Sequence, residues 1–282
     1  MLKYKLTDET KEWCGHTLHK IEYTKDWLEY MDLEKLEGGW IESEKNLDQH
    51  GNAWISGNAC VSGNANVGGD ANVSGDANVS GDACISGNAC INGNACVSGN
   101  TQVYGNAWVY GDTCVYGYAR VDDEAWISGN ACVGGNACVS GDAWVYGNAY
   151  VYGHARVYGH ARVYDDAYVY DDAYVYNNAH VYNNAHVYDN ACVGNNAEVF
   201  GNANISGNAC VGDDACVSGD ACISGNAWVY GDTWVCGDTS VSRGKVSTMK
   251  ITSTEQWLEY QHIIAELQKK WENKNNNYKK YF

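Results

Sequence analysis

The chain contains no proline, although 32 of its 282 residues are glycine. Its turns must therefore use glycine, asparagine and aspartate, which tolerate left-handed backbone angles, instead of the fixed φ of a proline ring. The sequence also lacks a membrane-spanning apolar stretch, and its opening residues, Met1–Lys5, have none of the apolar core of a secretion signal. We therefore expect a cytoplasmic protein that does not associate with membranes.

Basic side chains are scarce in the middle of the chain. Residues 51–242 carry three arginines and no lysine, and their net charge is −16 out of −17 for the whole chain. Residues 1–50 carry a net charge of −5, whereas residues 243–282 carry +4. Because an acidic surface repels nucleic acid and attracts basic proteins, we expect no direct nucleic-acid binding by the middle segment and instead a protein partner.

The middle segment consists of one six-residue phrase, repeated 32 times without an insertion from Gly51 to Ser242. The fifth position is always Val or Ile, the third is Ala except at four threonines, and the first two are mostly Gly followed by Asn or Asp. The fourth and sixth positions vary. A short, regular period of this kind is typical of a solenoid, and a period of six suits neither a helix nor a plain alternating strand.

Each hexad predicts a short strand centred on its Val or Ile, followed by a tight turn. Three hexads would close one triangular coil of 18 residues, so residue n lies beneath residue n+18 at the usual strand spacing of about 4.8 Å. Thirty-two hexads then give between ten and eleven coils. A single hexad buries a Val and an Ala, worth roughly 3 kcal/mol. Because fixing its six backbone residues costs about 6 kcal/mol or more, the segment is expected to fold only as an array.

The phrase Val-x-Gly-Asn-Ala-x, as in Val61–Asn66, resembles the hexapeptide repeat of left-handed parallel β-helices. This resemblance covers about two-thirds of the chain and implies the left-handed coil, which the period alone does not give. The opening of the chain, at Tyr4–Thr10, Thr17–Ile21 and Leu36–Glu44, resembles the head of phage and prophage hexapeptide-repeat proteins. That second resemblance implies a phage origin and no particular activity.

The segments on either side break the period and are expected to cover the ends of the solenoid, whose open strand edges would otherwise aggregate. Residues 1–50 are predicted to form an N-terminal cap of short strands, with room for a short helix over Thr24–Leu36. Residues 243–282 are predicted to form an amphipathic helix and a basic tail. The apolar residues of this helix would either cap the last coil or drive self-association: Trp257, Tyr260, Ile264, Leu267 and Trp271.

Aromatic and cationic side chains occupy many of the variable positions of the central hexads. We call this set of residues the belt. Every sixth position from Tyr146 to Tyr188 is Tyr. Stacked like side chains stabilise a parallel sheet, which is one interpretation; the other is a binding surface for a protein or a flat anionic ligand. The belt residues are Trp108, Trp126, Trp144, Tyr146, Tyr150, Arg156, Arg162, Tyr168, Tyr174, His180 and His186.

Cysteines and carboxylates give little sign of a metal site or a cofactor. Eleven of the 13 cysteines occupy the variable fourth position, and no C-x-x-C pair is present, which excludes a zinc ribbon or a thioredoxin-type site. Stacked cysteines such as Cys96, Cys114 and Cys132 are expected to be free thiols in a reducing cytoplasm. Paired turn carboxylates are ligands that Ca²⁺ accepts, but lone solvated carboxylates are commoner, so we expect no metal and no cofactor.

Catalysis is not favoured either. Many left-handed β-helix proteins are acyltransferases, whose catalytic histidine lies on or near a loop leaving the coil, and this segment has no inserted loop. Related carbonic anhydrases bring three histidines to zinc, whereas the histidines here are paired six residues apart, at His154 and His160 and at His180 and His186. No Ser-His-Asp or Cys-His arrangement can be defined. A hexapeptide acyltransferase is therefore the least favoured reading, and we expect no enzyme.

Three non-catalytic hypotheses remain. The favoured one is an acidic rod that engages a host protein, such as a DNA-binding or defence protein, by mimicking duplex DNA. The second is a structural or assembly module, in which the C-terminal helix drives a homo-oligomer. The third is a small-molecule or nucleotide sponge that uses the tyrosines, arginines and histidines of the belt.

Overall fold

The computed structural model describes the backbone of residues 2–247 and 249–278, and the side chains of this part except those of 264, 267 and 271–278. The chain opens with an antiparallel hairpin, and a short helix and a two-residue strand follow. These elements are β1 (Tyr4–Trp13), β2 (His16–Tyr23), α1 (Lys25–Tyr30) and β3 (Trp40–Ile41), with one 3-10 turn at Glu44–Asn46.

The repeat forms one short strand in each hexad. From Trp54–Ile55 to Cys216–Val217 every hexad contributes a two-residue strand at its fourth and fifth positions. The last strands are Cys222–Tyr230, Trp234–Val235, Ser240–Ser247 and Lys250–Ile251, and the helix α2 (Thr254–Tyr278) follows them. Two strands are longer: Cys222–Tyr230 runs through the turn between two neighbouring hexads, and Ser240–Ser247 continues past the end of the repeat at Ser242.

The strands stack in parallel with an 18-residue spacing, which confirms the predicted solenoid. Trp108 lies opposite Trp126, for example, and Trp126 opposite Trp144. Three columns of strands result: the first column begins at Trp54–Ile55, the second contains Cys60–Val61, and the third begins at Asn66–Val67.

The solenoid has about twelve turns, so the expected ten to eleven coils was too low. The first column is a twelve-stranded sheet, because Lys250–Ile251 pairs with Trp234–Val235 beyond the end of the sequence period. At the other end β3 pairs in parallel with Cys60–Val61. Residues on both sides of the repeat therefore add coil segments that lack its sequence phrase.

The core is a narrow aliphatic column. The alanines at third positions and the valines or isoleucines at fifth positions of the hexads are at most 1% exposed. The four threonines that replace alanine are also buried, and Thr233 and Thr239 donate their hydroxyls to the carbonyls of Tyr230 and Cys236. The same two positions are buried in every hexad because the strands stack in register every 18 residues, so each coil places these positions against the same positions of its neighbours.

The turns explain the glycine at the first position. Gly147 has a φ of +72°, and a Cβ placed there would lie 2.7 Å from the backbone nitrogen of Asp165 in the next coil. Asp165 itself adopts a φ of +58° in place of glycine. Aspartate and asparagine are the side chains that best tolerate this left-handed region, so they replace glycine along residues 165–196.

Both ends of the solenoid are covered by side chains from the flanking segments. At the N-terminal end Trp27 of α1 is buried and stacks on Tyr23, with their ring centroids 4.8 Å apart. At the C-terminal end Trp257 of α2 is 3% exposed, and Gln261 donates to the carbonyl of Arg243. No helix in the described part of the chain has both the length and the apolarity that crossing a bilayer requires.

Candidate functional site

The belt contains a stack of tryptophans on the first column, which we call the tryptophan column: Trp108, Trp126 and Trp144. Their ring centroids are 6.0 and 4.8 Å apart along the stack, and Tyr110 packs on Trp126 at 5.4 Å. Trp108 is 50% exposed and Trp144 is 39% exposed, whereas Trp126 is half-buried between them. Aromatic rings that are held in place and open to solvent are suited to binding a partner at small cost in conformational entropy.

Tyrosines at sixth positions form ladders with nearly parallel rings. Tyr146, Tyr164, Tyr182 and Phe200 stack at 4.9 Å each, which is the spacing of the coils. A second ladder joins Tyr152, Tyr170 and Tyr188 at 5.1 and 5.0 Å. Burial raises the pKa values of Tyr164 and Tyr170 to about 12, so these phenols stay neutral at physiological pH.

The remaining belt residues lie on all three columns and do not converge on one pocket. Tyr150, Tyr168 and His186 stack on the second column at 4.9 and 4.8 Å. Arg156 and Tyr174 lie on the third column, and Arg162 and His180 lie on the first. Burial lowers the pKa values of both His180 and His186, and Arg162 lowers that of His180 further, which favours neutral imidazoles. The belt thus encircles the solenoid as three separate surfaces.

Each arginine of the repeat lies over an aromatic ring of a neighbouring coil. The guanidinium carbon of Arg156 is 5.5 Å from the centroid of Tyr174, and that of Arg162 is 5.4 Å from Trp144. Arg120, which is outside the predicted belt, lies 5.3 Å from the Tyr104 ring and pairs with Asp122 at 3.0 Å. In the described part of the chain no carboxylate lies within ion-pair distance of Arg156 or Arg162.

A notch on the third column was missed by the sequence reasoning. Arg120, Cys138 and Arg156 are consecutive register partners, and the short side chains of Cys138 and Ser140 leave a cavity of about 560 Å³ between the two arginines. The 18-residue spacing contains this information, because it places large, small and large side chains in successive coils. Asp122 and Asp123 also line the cavity, so its charges largely compensate each other.

Asparagine amides hold carboxylates in place along one edge of the solenoid, between the first and second columns, which we call the Asn/Asp corner. Asn58 donates to Asp76 at 2.9 Å, Asn148 donates to Asp166 at 2.9 Å, and each pair spans one coil. The members are Asn58, Asp76, Asn94, Asp112, Asn130, Asn148, Asp166, Asn184, Asn202, Asp220 and Asp238. Because neutral amides separate most of the carboxylates, repulsion between like charges is small while the acids stay exposed.

The cysteines and the corner carboxylates are the other groups of the described solenoid that could bind a metal or react as nucleophiles. Within the described residues, no group of three or more His, Cys, Asp and Glu side chains could hold a metal ion. The thirteen cysteines are free, and burial raises the pKa of the Cys216 thiol to about 11. Burial also raises the pKa of Cys192, whose thiol stacks on that of Cys210. Raised thiol pKa values lower the fraction of thiolate, which is the nucleophilic form.

One coil of the solenoid is similar to a known family of repeats. Residues 155–171 match a family model described as YdcK Beta solenoid repeat. The chain is a β-solenoid repeat protein. No curated protein matches it. Since the matched residues make up one coil in the middle of the belt, the similarity concerns the repeat and carries no information about a partner.

The C-terminal helix contributes two of its five predicted residues to the end of the solenoid. Trp257 is buried, and Tyr260 is half-buried and stacks on Trp257 at 5.7 Å. The side chains of Ile264, Leu267 and Trp271 lie outside the described part of the chain. On the same helix Leu258 and Ile263 are 56% and 48% exposed. The part of α2 with described side chains therefore covers the last coil with Trp257 and Tyr260 and exposes Leu258 and Ile263, which lie about 140° apart around the helix.

Proposed function

We propose that this protein is a non-catalytic rod that binds a basic protein of its host through the acidic surface of the solenoid. The observation that carries the proposal is the charge of residues 51–242, where 19 acidic side chains face only three arginines. One of the three, Arg120, already pairs with Asp122. A surface of this charge attracts basic partners over the range of a Debye length, about 8 Å at physiological salt.

The arrangement of the carboxylates favours a DNA-binding protein as the partner. On the Asn/Asp corner Asp76 and Asp112 are two coils apart, and amides of neighbouring coils hold their carboxylates at 2.9 and 2.6 Å. Carboxylates held on a grid of strand spacings, each about 4.8 Å, present negative charge in a line, as the phosphates of DNA do. A protein that binds DNA through lysines and arginines would therefore meet, along this corner, an electrostatic field similar to that of DNA.

The proposal also includes the handedness of the coil, its cross-section and the origin of the protein. The phrase of Val61–Asn66 supports a left-handed coil of triangular section that belongs to the hexapeptide-repeat class. The opening residues support a phage origin, and the place of action that we propose is the host cytoplasm. A phage protein there would act as a decoy against a defence protein.

A second candidate function, an assembly module, is favoured by α2. Leu258 and Ile263 are exposed on a helix whose Trp257 is already used by the last coil. Apolar side chains in this position would pair two copies of the chain through their C-terminal helices. Light scattering of the purified protein decides this, because a homo-oligomer has a multiple of the 30.8 kDa mass of the chain.

The proposed binding is tested by pull-down from bacterial lysate at low and high salt. A basic DNA-binding protein should be captured at low salt and released at high salt. The test variant neutralises one edge while keeping the shape of its side chains: Asp76→Asn, Asp112→Asn and Asp166→Asn. This variant should lose the captured protein, since the amide cannot supply the negative charge.

The control removes the same charge from the N-terminal cap, with Asp8→Asn, Asp26→Asn and Glu34→Gln. These three side chains are exposed and lie outside the repeat. Capture should survive in this variant. If both variants lose the captured protein equally, only the net charge matters. If the amount of captured protein is the same at low and high salt, the acidic mechanism is refuted.

A further inference from the structure

Five cationic side chains of the solenoid each lie over an aromatic ring of an adjacent coil. They are all three arginines of the repeat and two lysines that follow the repeat. The pairs are Arg120 with Tyr104, Arg156 with Tyr174, Arg162 with Trp144, Lys245 with Trp228 and Lys250 with Trp234, at 5.1 to 5.6 Å. The spacing of the coils thus places a cation and a ring at the distance that cation–π attraction needs.

The tryptophan column is closed by such a cation at one end only. Arg162 covers Trp144, and Trp144 and Trp108 both pack on Trp126. At the other end the register partner of Trp108 is Cys90, whose side chain has one heavy atom beyond Cβ and covers little of an indole. Trp108 is 50% exposed, and no cation of the described residues lies over its ring.

A carboxylate of the same coil lies on one side of this open ring. Asp112 lies four residues after Trp108, on the Asn/Asp corner, where Asn94 donates to it at 2.6 Å. On the opposite side of the first column the corner residue of the same coil is the neutral Asn106, and the acids Glu124 and Asp142 follow in the next two coils, two residues before Trp126 and Trp144. An aromatic face with acids nearby and no cation over it is complementary to a cation, and these acids repel a flat anionic ligand.

We propose that Trp108 is the docking position for an arginine side chain of the basic partner, with Asp112 beside it. This inference rests on the proposed function and names the partner's chemistry at one site, an arginine-bearing segment. A planar guanidinium stacks on an indole and is weakly hydrated, whereas a lysine ammonium keeps its water more strongly. The partner's arginine would continue the column at its open end, as Arg162 does at the other.

The test uses the full chain and a short peptide in which arginine alternates with serine, with a lysine peptide of equal charge beside it. Binding is measured by tryptophan fluorescence and calorimetry at low salt. The arginine peptide should bind more tightly than the lysine peptide. The variant Trp108→Ala should weaken the arginine peptide about two- to fivefold, the range that an exposed cation–π contact supplies, and should bring the two peptides to similar affinity.

Trp234→Ala is the matched control. Trp234 occupies the same position of its hexad on the same column and is 52% exposed, but Lys250 already lies over its ring. This variant should bind the arginine peptide as the unmodified protein does. Because both side chains are exposed, neither replacement should change the circular dichroism spectrum.

The outcomes separate this inference from the proposed function. If both peptides bind in a salt-sensitive way and Trp108→Ala changes nothing, the docking position is refuted while the acidic rod stands. If Trp108→Ala and Trp234→Ala weaken binding equally, the site is not specific to the open end of the column and the inference fails. If neither peptide binds at low salt, both the inference and the acidic rod are refuted.

Discussion

The hydroxyl of Tyr23 pairs with both backbone polar groups of Ile55, donating to the carbonyl at 2.9 Å and accepting from the amide at 2.7 Å. Ile55 lies in the first strand of the first column, where the aperiodic N-terminal segment takes the place of a preceding coil and the Gly39 amide also donates to the Ile55 carbonyl, at 2.9 Å. One side chain thus performs the pairing that a strand performs elsewhere. Burial raises the pKa of the Tyr23 phenol, which keeps the donating proton in place.

Removing this hydroxyl should destabilise the N-terminal end of the solenoid. In Tyr23→Phe the buried amide of Ile55 loses its partner, at a cost of about 1–3 kcal/mol, while the carbonyl keeps its hydrogen bond from the Gly39 amide. The midpoint of urea unfolding should fall accordingly. Tyr30→Phe is the control, because Tyr30 is 69% exposed and should leave the midpoint unchanged. Equal midpoints for the two variants would contradict the role of the Tyr23 hydroxyl.

Glycine at the first position of a hexad should be hard to replace. Gly147→Ala forces a Cβ to within 2.7 Å of the backbone nitrogen of Asp165 and keeps a φ of +72°, so the free energy of unfolding should fall. The left-handed conformation alone costs a residue with a Cβ at least about 1 kcal/mol. Gly212→Ala is the control, because an added Cβ there meets only the Asn195 amide, at 3.9 Å. If Gly212→Ala proved as harmful as Gly147→Ala in urea unfolding, the steric explanation would be wrong.

The tyrosine ladders should make the protein sensitive to alkaline pH. Burial raises the pKa values of Tyr164 and Tyr170 from 10.0 to about 12, so the folded state holds these protons more tightly than the unfolded state does. Their contribution to stability is therefore fully present below pH 10 and is lost as the pH rises towards 12. Urea unfolding across this range, with tyrosinate absorbance followed in parallel, measures the loss.

A double variant measures how much of this loss of stability at alkaline pH comes from the phenols of Tyr164 and Tyr170. Tyr164→Phe with Tyr170→Phe keeps the rings but removes the titrating groups, and Phe200 shows that phenylalanine fits the end of such a ladder, 4.9 Å from Tyr182. The variant should lose less stability between pH 10 and 12 than the unmodified protein. An unchanged pH dependence would assign the loss to other groups, such as the buried thiol of Cys216, whose pKa is also raised.

The repeat could be predicted from the sequence because its spacing decides which side chains meet. The 18-residue period places Trp108 against Trp126 and Tyr146 against Tyr164, and the structure has both contacts. Burial of the third and fifth positions follows from the same period. Inside a solenoid each residue has the same two neighbouring coils, so local pattern and three-dimensional contact coincide.

The ends and the diagonal contacts could not be predicted in this way. Tyr23 reaches Ile55 across 32 residues of aperiodic chain, and no spacing rule connects them. Arg120 contacts Tyr104, 16 residues away, and this pair depends on side-chain rotamers in addition to register. Lys250–Ile251 joins the first column without the repeat phrase, because a strand needs only backbone groups to pair with Trp234–Val235.

The uniform third and fifth positions also determine how the molecule tolerates changes in length. Loss of a single hexad would leave every core contact chemically the same, since each hexad offers Ala or Thr and Val or Ile to the interior. Loss of a hexad between Trp108 and Trp126 would nevertheless move all later side chains by one column relative to the earlier ones, so that Trp126 and Trp144 would no longer stack on Trp108. Gain or loss of three hexads would instead change the length by one coil, about 4.8 Å, with every face in alignment. The core of the solenoid therefore tolerates changes in chain length of six residues, whereas the alignment of the surface side chains is kept only by changes of eighteen residues.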